Sequence, residues 1–278
     1  MRLATLRVDD RTVAVRVDDA AVVEIPDAVD VGTLLRDPRW RVRAETADGP
    51  AHARHGLEPR RWAPVVPRPG KVICVGLNYA AHIREMGRER PEYPTLFAKF
   101  PEAVTGPYDD IVVPGRLARA LDWEGELAVV IGSSCFRADR DTASASIAGY
   151  AVLNDVTMRD YQYRTTQWLQ GKTLQAATPF GPFLVTPDEH SAAAEVRTTV
   201  DGEVMQSARV DDLVFDPADL IAYVSELITL SPGDVIATGT PGGVGHARTP
   251  PRYLANGSRL QTAIDGLGEQ SNLVRIEP

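Results

Sequence analysis

The stretch Leu121-Asp122-Trp123-Glu124-Gly125-Glu126-Leu127-Ala128-Val129-Val130-Ile131-Gly132 sets two glutamates into an otherwise apolar run. Side chains alternate faces along a strand, so Glu124 and Glu126 share one side while Trp123, Leu127, Val129 and Ile131 take the other. The pattern predicts a half-buried strand with one face in the core. Two neighbouring carboxylates on such a strand repel one another unless a cation neutralises them, and a divalent metal ion does so at a single point.

A third acid follows one strand later. Gly149-Tyr150-Ala151-Val152-Leu153-Asn154-Asp155 is an apolar run ending in a carboxylate, and Val156-Thr157-Met158-Arg159-Asp160 reads as the start of a helix. Taken alone, Asp155 fits the N-cap of that helix. Beside the Glu-x-Glu strand, the metal reading is the stronger one. Three carboxylates without a Cys or His pattern make a hard oxygen site, suited to Mg²⁺, Mn²⁺ or Ca²⁺ rather than Zn²⁺.

Five motifs occur in order: Gly76-Leu77-Asn78-Tyr79-Ala80-Ala81-His82, Glu124-x-Glu126, Asn154-Asp155-Val156-Thr157-x-Arg159-Asp160, Gly171-Lys172 and Thr238-Gly239-Thr240-Pro241-Gly242-Gly243-Val244-Gly245. Each is weak alone, but together, over about residues 70 to 275, they resemble the fumarylacetoacetate hydrolase family. The resemblance implies a mixed β-roll core with a smaller N-terminal β-rich domain, an α+β, β-rich fold. It implies a Mg²⁺ or Mn²⁺ site built from Glu124, Glu126 and Asp155, a small anionic 2-oxo-acid substrate and a homodimer. Some relatives carry another acid just before the histidine; Ala80-Ala81 stands there, so three protein ligands are expected.

His82 and Glu85 lie three apart, and a helix puts them on one face. A carboxylate beside an imidazole fixes its orientation and raises its basicity. An isolated pair of this kind is usually an exposed contact, but in the resembling family the matching pair lies on a mobile segment and acts as a general-base dyad. Three carboxylates around a dication leave a negative charge, so cations are expected to line the pocket. Arg159 and Lys172 match family residues, and Lys99 fits either a substrate contact or a support for the metal ligands. Gln162 follows Arg159 and is a further substrate-binding candidate, as is Tyr161 unless it packs. The glycine loop lacks the Gly-Lys-Ser/Thr ending of a phosphate loop. Glycines such as Gly239 let backbone N–H groups approach an anion, and the resemblance makes Thr240 a carboxylate-binding residue. The expected chemistry is hydrolysis of a C–C bond in an acylpyruvate or fumarylpyruvate, with His82 activating water and Lys172 stabilising the departing enolate. The alternatives are decarboxylation or isomerisation of an oxo-dicarboxylate, such as oxaloacetate or a hydroxymuconate, or plain 2-oxo-acid binding.

Composition narrows the rest. At 278 residues with 44% hydrophobic and 24% charged residues, the chain can bury a sizeable core. A net charge of −8 with no basic stripe argues against nucleic acid. No apolar run is long enough for a membrane span, and Met1-Arg2-Leu3-Ala4 leads straight into a strand pattern, so a cytoplasmic protein without a signal peptide is expected. Cys74 and Cys135 sit in apolar runs and read as buried free thiols. Among thirty basic residues only Lys71, Lys99 and Lys172 are lysines. Two of these fall in or near the motifs, whereas Lys71 reads as a strand-edge surface charge. Arg84, Arg88 and Arg90 read as a solvated face, His52, His55 and His190 as surface residues, and His246 as no strong substrate contact. No Gly-x-Ser-x-Gly elbow is present.

Alternation predicts strands at residues 3–8, 12–17 and 21–25, a short helix at 31–35 and a hairpin over 191–204 turning at Asp201-Gly202. It also predicts a helix at 220–230 and a strand at 234–238. The Pro-rich stretch Pro64 to Gly70 separates an N-terminal domain, residues 1–66, from a metal-binding catalytic domain, residues 67–278.

Overall fold

The computed structural model describes residues 1–278. It places the strand Gly125–Ile131 inside a ten-stranded mixed sheet, antiparallel to Ile147–Asn154 on one side and to Val235–Ala237 on the other. Beyond Val235–Ala237 the sheet continues through the parallel strand Val72–Gly76 to an edge at Thr95–Lys99. Beyond Ile147–Asn154 it continues through Leu184–Val185 into the N-terminal strands Arg2–Val8, Arg11–Val17, Ala21–Glu24 and Ala51–Ala53. The N-terminal strands therefore extend the same sheet that carries the acidic strand. Leu3, Ala14 and Ile25 share one hydrophobic cluster with Val72, Ala128 and Val235.

A second sheet of five strands runs in the order Glu203–Arg209, Glu195–Val200, Arg259–Ile264, Gly268–Glu277, Ile111–Pro114. It packs on the first through Val196 and Ile264 against Leu127, Val152 and Val185. Further along the same face of the large sheet lies the helix Pro217–Leu227, whose Leu220, Ile221 and Val224 pack on Val129, Ile131 and Ile236. That helix begins at Asp216, whose carboxylate accepts the N–H groups of Ala218 and Asp219, with proline at the first position. It ends at Leu227, three residues short of the sequence expectation. Leu230 follows the helical spacing but lies on extended chain bridged to Cys135.

Every residue of Gly125–Ile131 is buried, so the expected half-exposed strand is core on both faces. Ala128 and Val130 join one cluster while Val129 and Ile131 join another. The expected β-rich fold with few helices is what forms, and most of the sheet positions one polar site at the end of this strand. Both cysteines are free and buried. No helix is long and apolar enough to cross a membrane.

Candidate active site

The acidic strand is broken where the sequence reads as continuous. Leu121–Asp122 is a short strand of its own, and Glu124 lies in the gap before Gly125. Two bonds hold that gap: the Glu124 N–H donates to Asn154 Oδ1 at 3.0 Å, and the Glu124 carbonyl accepts the Asp155 N–H at 2.8 Å. Gly125 lets the second sheet approach closely, since a β-carbon there would stand 2.2 Å from Thr198 Oγ1. The same junction brings Asp155 beside the glutamates. Carboxylate oxygens of Glu124, Glu126 and Asp155 all lie within 4.8 Å of one another, and all three residues are buried.

Asp155 is no helix cap. Thr157–Met158 pairs with Leu121–Asp122 as a strand, and the helix that follows, Arg159–Gln162, has no side-chain cap. The Asp155 carboxylate instead faces two ammonium groups, Lys99 Nζ at 2.5 Å and Lys172 Nζ at 2.8 Å. Lys172 also lies 2.5 Å from Glu124 Oε2, and 5.0 Å from the Phe97 ring centre. Arg159 places Nη2 2.7 Å from Glu124 Oε1, Nε 2.8 Å from Asp122 Oδ2 and Nη1 2.9 Å from Gln162 Oε1.

These charges fix the protonation pattern. Burial pushes the Glu126 carboxyl well up, and the Asp155 and Glu124 carboxylates push it further. Burial also acts to raise Glu124, but the Lys172 and Arg159 cations outweigh it and hold that carboxyl down at about 2. For Lys172, burial disfavours the charge, yet Asp155 and Glu124 raise its pKa above the ordinary value.

A divalent cation fits this donor set. Three hard oxygen donors converge in a buried cluster, and the raised pKa of Glu126 reflects carboxylate repulsion that a bound dication would relieve.

A cavity of about 260 Å³ opens over the carboxylates, its wall including His82, Glu124, Glu126, Arg159, Gln162, Lys172 and Thr240. His82 Nδ1 is 2.8 Å from Glu85 Oε2, on the helix Ala80–Glu85, and the Gly243 N–H donates to Glu85 Oε1 at 2.9 Å. Burial acts to raise the Glu85 carboxyl, but the bonds from His82 and Gly243 outweigh it and hold it below the ordinary glutamate value. The dyad expected from the sequence is therefore assembled, with His82 buried on the cavity wall.

Several expectations are corrected. Lys99 is bound to Asp155 and absent from the cavity wall, so it supports a carboxylate and does not face a substrate. Gly239 turns its N–H to Glu126 Oε2 at 2.8 Å, which places it behind the acidic cluster. Thr240 is on the wall, but its hydroxyl donates to the Gly125 carbonyl and accepts from Gln206 Nε2. Tyr161 packs on the second hydrophobic cluster, one of the two readings its sequence position allowed. His246, not expected to be a strong substrate contact, bonds Tyr253 and stacks on Tyr163 at 5.2 Å. Lys71 is no lone surface charge, since its Nζ lies 2.6 Å from buried Asp234. His52 is bonded to buried Glu24 and His190 is stacked on Tyr150, so of those three histidines only His55 is exposed. Arg88 is exposed, as expected, and it also lines the cavity.

Sequence reasoning missed Asp122, which is fully buried and accepts N–H groups from Trp123, Gly245 and His246 as well as Arg159. Strand alternation was a signal for it, since Asp122 has the parity of Glu124 and Glu126. Gln206 was also missed; it joins Gly125 to Thr240 from the second sheet, and no local pattern marks it.

The family profile described as fumarylacetoacetate hydrolase C-terminal matches residues 71–275. The mitochondrial oxaloacetate tautomerase Fahd2a of Rattus norvegicus is 45% identical over 215 residues, covering 76% of this chain and 68% of that protein. The crystal structure of 5-carboxymethyl-2-hydroxymuconate delta-isomerase from Mycobacterium smegmatis is 33% identical, with a TM-score of 0.81 over 100% of both chains. Fumarylpyruvate hydrolase from Pseudomonas aeruginosa, solved with Mn²⁺ and pyruvate, is 35% identical with a TM-score of 0.68, covering 74% of this chain and 90% of that one.

Proposed function

The chain belongs to the fumarylacetoacetate hydrolase family, and on that premise we propose that it is a Mg²⁺- or Mn²⁺-dependent enzyme moving a proton within an oxo-dicarboxylate, as in the enol–keto tautomerisation of oxaloacetate. The observation that carries this reading is the His82–Glu85 pair on the wall of the cavity floored by Glu124 and Glu126. A divalent ion held by Glu124, Glu126 and Asp155 would neutralise them and draw electron density from the 2-oxo group of a bound acid. Glu85 orients the imidazole through Nδ1, which leaves Nε2 to take a proton from the enol oxygen side or return one to C3. Arg159 and Lys172, both on the cavity wall, supply positive charge against the substrate carboxylate and the developing oxyanion. The reaction consumes no water and changes no oxidation state.

Names among the relatives favour this oxo-dicarboxylate chemistry over the acylpyruvate hydrolysis first expected from the sequence. Hydrolysis stands as the second reading, because the same dyad, braced by Gly243, is equally suited to activating water, and a hydrolase with Mn²⁺ and pyruvate shares the fold. The test is the ultraviolet decay of enol-oxaloacetate with Mg²⁺ or Mn²⁺, run beside an acylpyruvate cleavage assay. Accelerated decay that is lost in Glu126→Gln and in excess chelator is expected. Full activity in either condition, or cleavage without tautomerisation, would overturn the tautomerase reading.

A further inference from the structure

We propose that Arg88 recognises the far carboxylate of the substrate and so sets a preference for dicarboxylates over monocarboxylates; this rests on the 2-oxo-acid reading above. The argument begins with charge. Four buried carboxylates, Asp122, Glu124, Glu126 and Asp155, face three buried cations, Lys99, Arg159 and Lys172. A divalent ion leaves that floor with one net positive charge, which matches one substrate carboxylate. A second carboxylate needs a cation of its own. Of the lysines and arginines on the cavity wall, Arg159 and Lys172 are ion-paired, and Arg88 has no acidic partner.

The backbone holds Arg88 in a defined relation to the dyad. Gly87, at φ +64°, ends the Ala80–Glu85 helix in the left-handed conformation that glycine tolerates. The Gly87 N–H donates to the Arg84 carbonyl and the Arg88 N–H to the Ile83 carbonyl, both at 3.0 Å. This Schellman arrangement makes Arg88 part of the same unit as His82 and Glu85. A carboxylate bound by the guanidinium therefore draws the dyad and the distal end of the substrate into one register. A planar fork suits that carboxylate. The side chain is exposed at the mouth, so its replacement leaves the core intact.

The experiment measures binding of pyruvate and 2-oxoglutarate by calorimetry with Mn²⁺ present, together with KM and kcat for oxaloacetate, in Arg88→Gln, Arg88→Lys and the control Arg84→Gln. Arg84 is exposed on the same helix and absent from the cavity wall. Loss of one charge-assisted contact predicts about 10–100-fold weaker 2-oxoglutarate binding and a raised oxaloacetate KM in Arg88→Gln. Pyruvate affinity should stay within about 2-fold, Arg88→Lys should recover part of the loss, and Arg84→Gln should match wild type. Equal losses for pyruvate and 2-oxoglutarate, or no loss for either, would overturn the assignment. An Arg88-dependent dicarboxylate preference without turnover would leave it standing while removing the tautomerase reading. Turnover indifferent to Arg88 would do the reverse.

Discussion

Lys99 Nζ lies 2.5 Å from Asp155 Oδ1, and the two side chains are 1% and 0% exposed. An ammonium sealed against a carboxylate in this way is part of the frame of the site. Removing one partner of a lone buried pair costs about 3–5 kcal/mol, and Asp155 here keeps Lys172 as a second partner. Lys99→Met should therefore lower the urea stability of the metal-free protein, by less than that full amount. A direct substrate contact would give the opposite signature, wild-type stability with a raised KM.

Glu126 makes the metal-free protein sensitive to pH. Burial, then Asp155 and Glu124, hold its carboxyl pKa well above the ordinary 4.5. Between that ordinary value and the raised one, the native state keeps a proton that the unfolded chain has lost. Stability contributed by this group is full below the ordinary value and falls as pH rises towards the raised one. Glu124, held at about 2, changes its contribution only below that window. Urea unfolding of the metal-free protein between about pH 5 and 8 should show this decline in wild type and lose it in Glu126→Gln. Metal binding should release a proton, seen as a buffer-dependent calorimetric heat; heats identical in buffers of different ionisation enthalpy would count against a protonated Glu126.

A homodimer is proposed from the open sheet edges, which favour a partner. The large sheet ends at Thr95–Lys99 and the second sheet at Glu203–Arg209, neither covered by another strand of this chain. Multi-angle light scattering should give twice the chain mass at micromolar concentration, and a monomer mass would discard the proposal.

The carboxylate triad and the His82–Glu85 pair were legible in the sequence because each is local, a parity or a helical spacing. The N-terminal strands and the Asp201-Gly202 hairpin were legible for the same reason. What was not legible depends on partners far along the chain. The role of Lys99 is set by Asp155, 56 residues away, and that of Gly239 by Glu126, 113 residues away. The break at Glu124 is held by Asn154 and by the Asp155 N–H, about thirty residues along the chain. Arg88 reads as solvated because it lies in a polar, arginine-rich stretch, and only the folded chain shows that it also lines the cavity.

His82→Ala should remove catalysis while leaving metal and ligand binding intact. The carboxylates with Lys172 and Arg159 hold the ligand end of the site, and none of their ion pairs runs through His82. Loss of a general base costs about 10²–10⁴-fold in rate, with little change in ground-state affinity. Glu85→Gln should cost less, since an amide still accepts the His82 Nδ1–H and orients the ring. It would also weaken the brace to Gly243, so some loss of order in the Ala80–Glu85 helix is expected. The measurement is kcat for oxaloacetate and oxalate affinity at fixed Mg²⁺ in both variants. Near-normal turnover in His82→Ala would take the dyad out of the chemistry. A matched fall in oxalate affinity in both variants would show that the segment builds the pocket and does not move the proton.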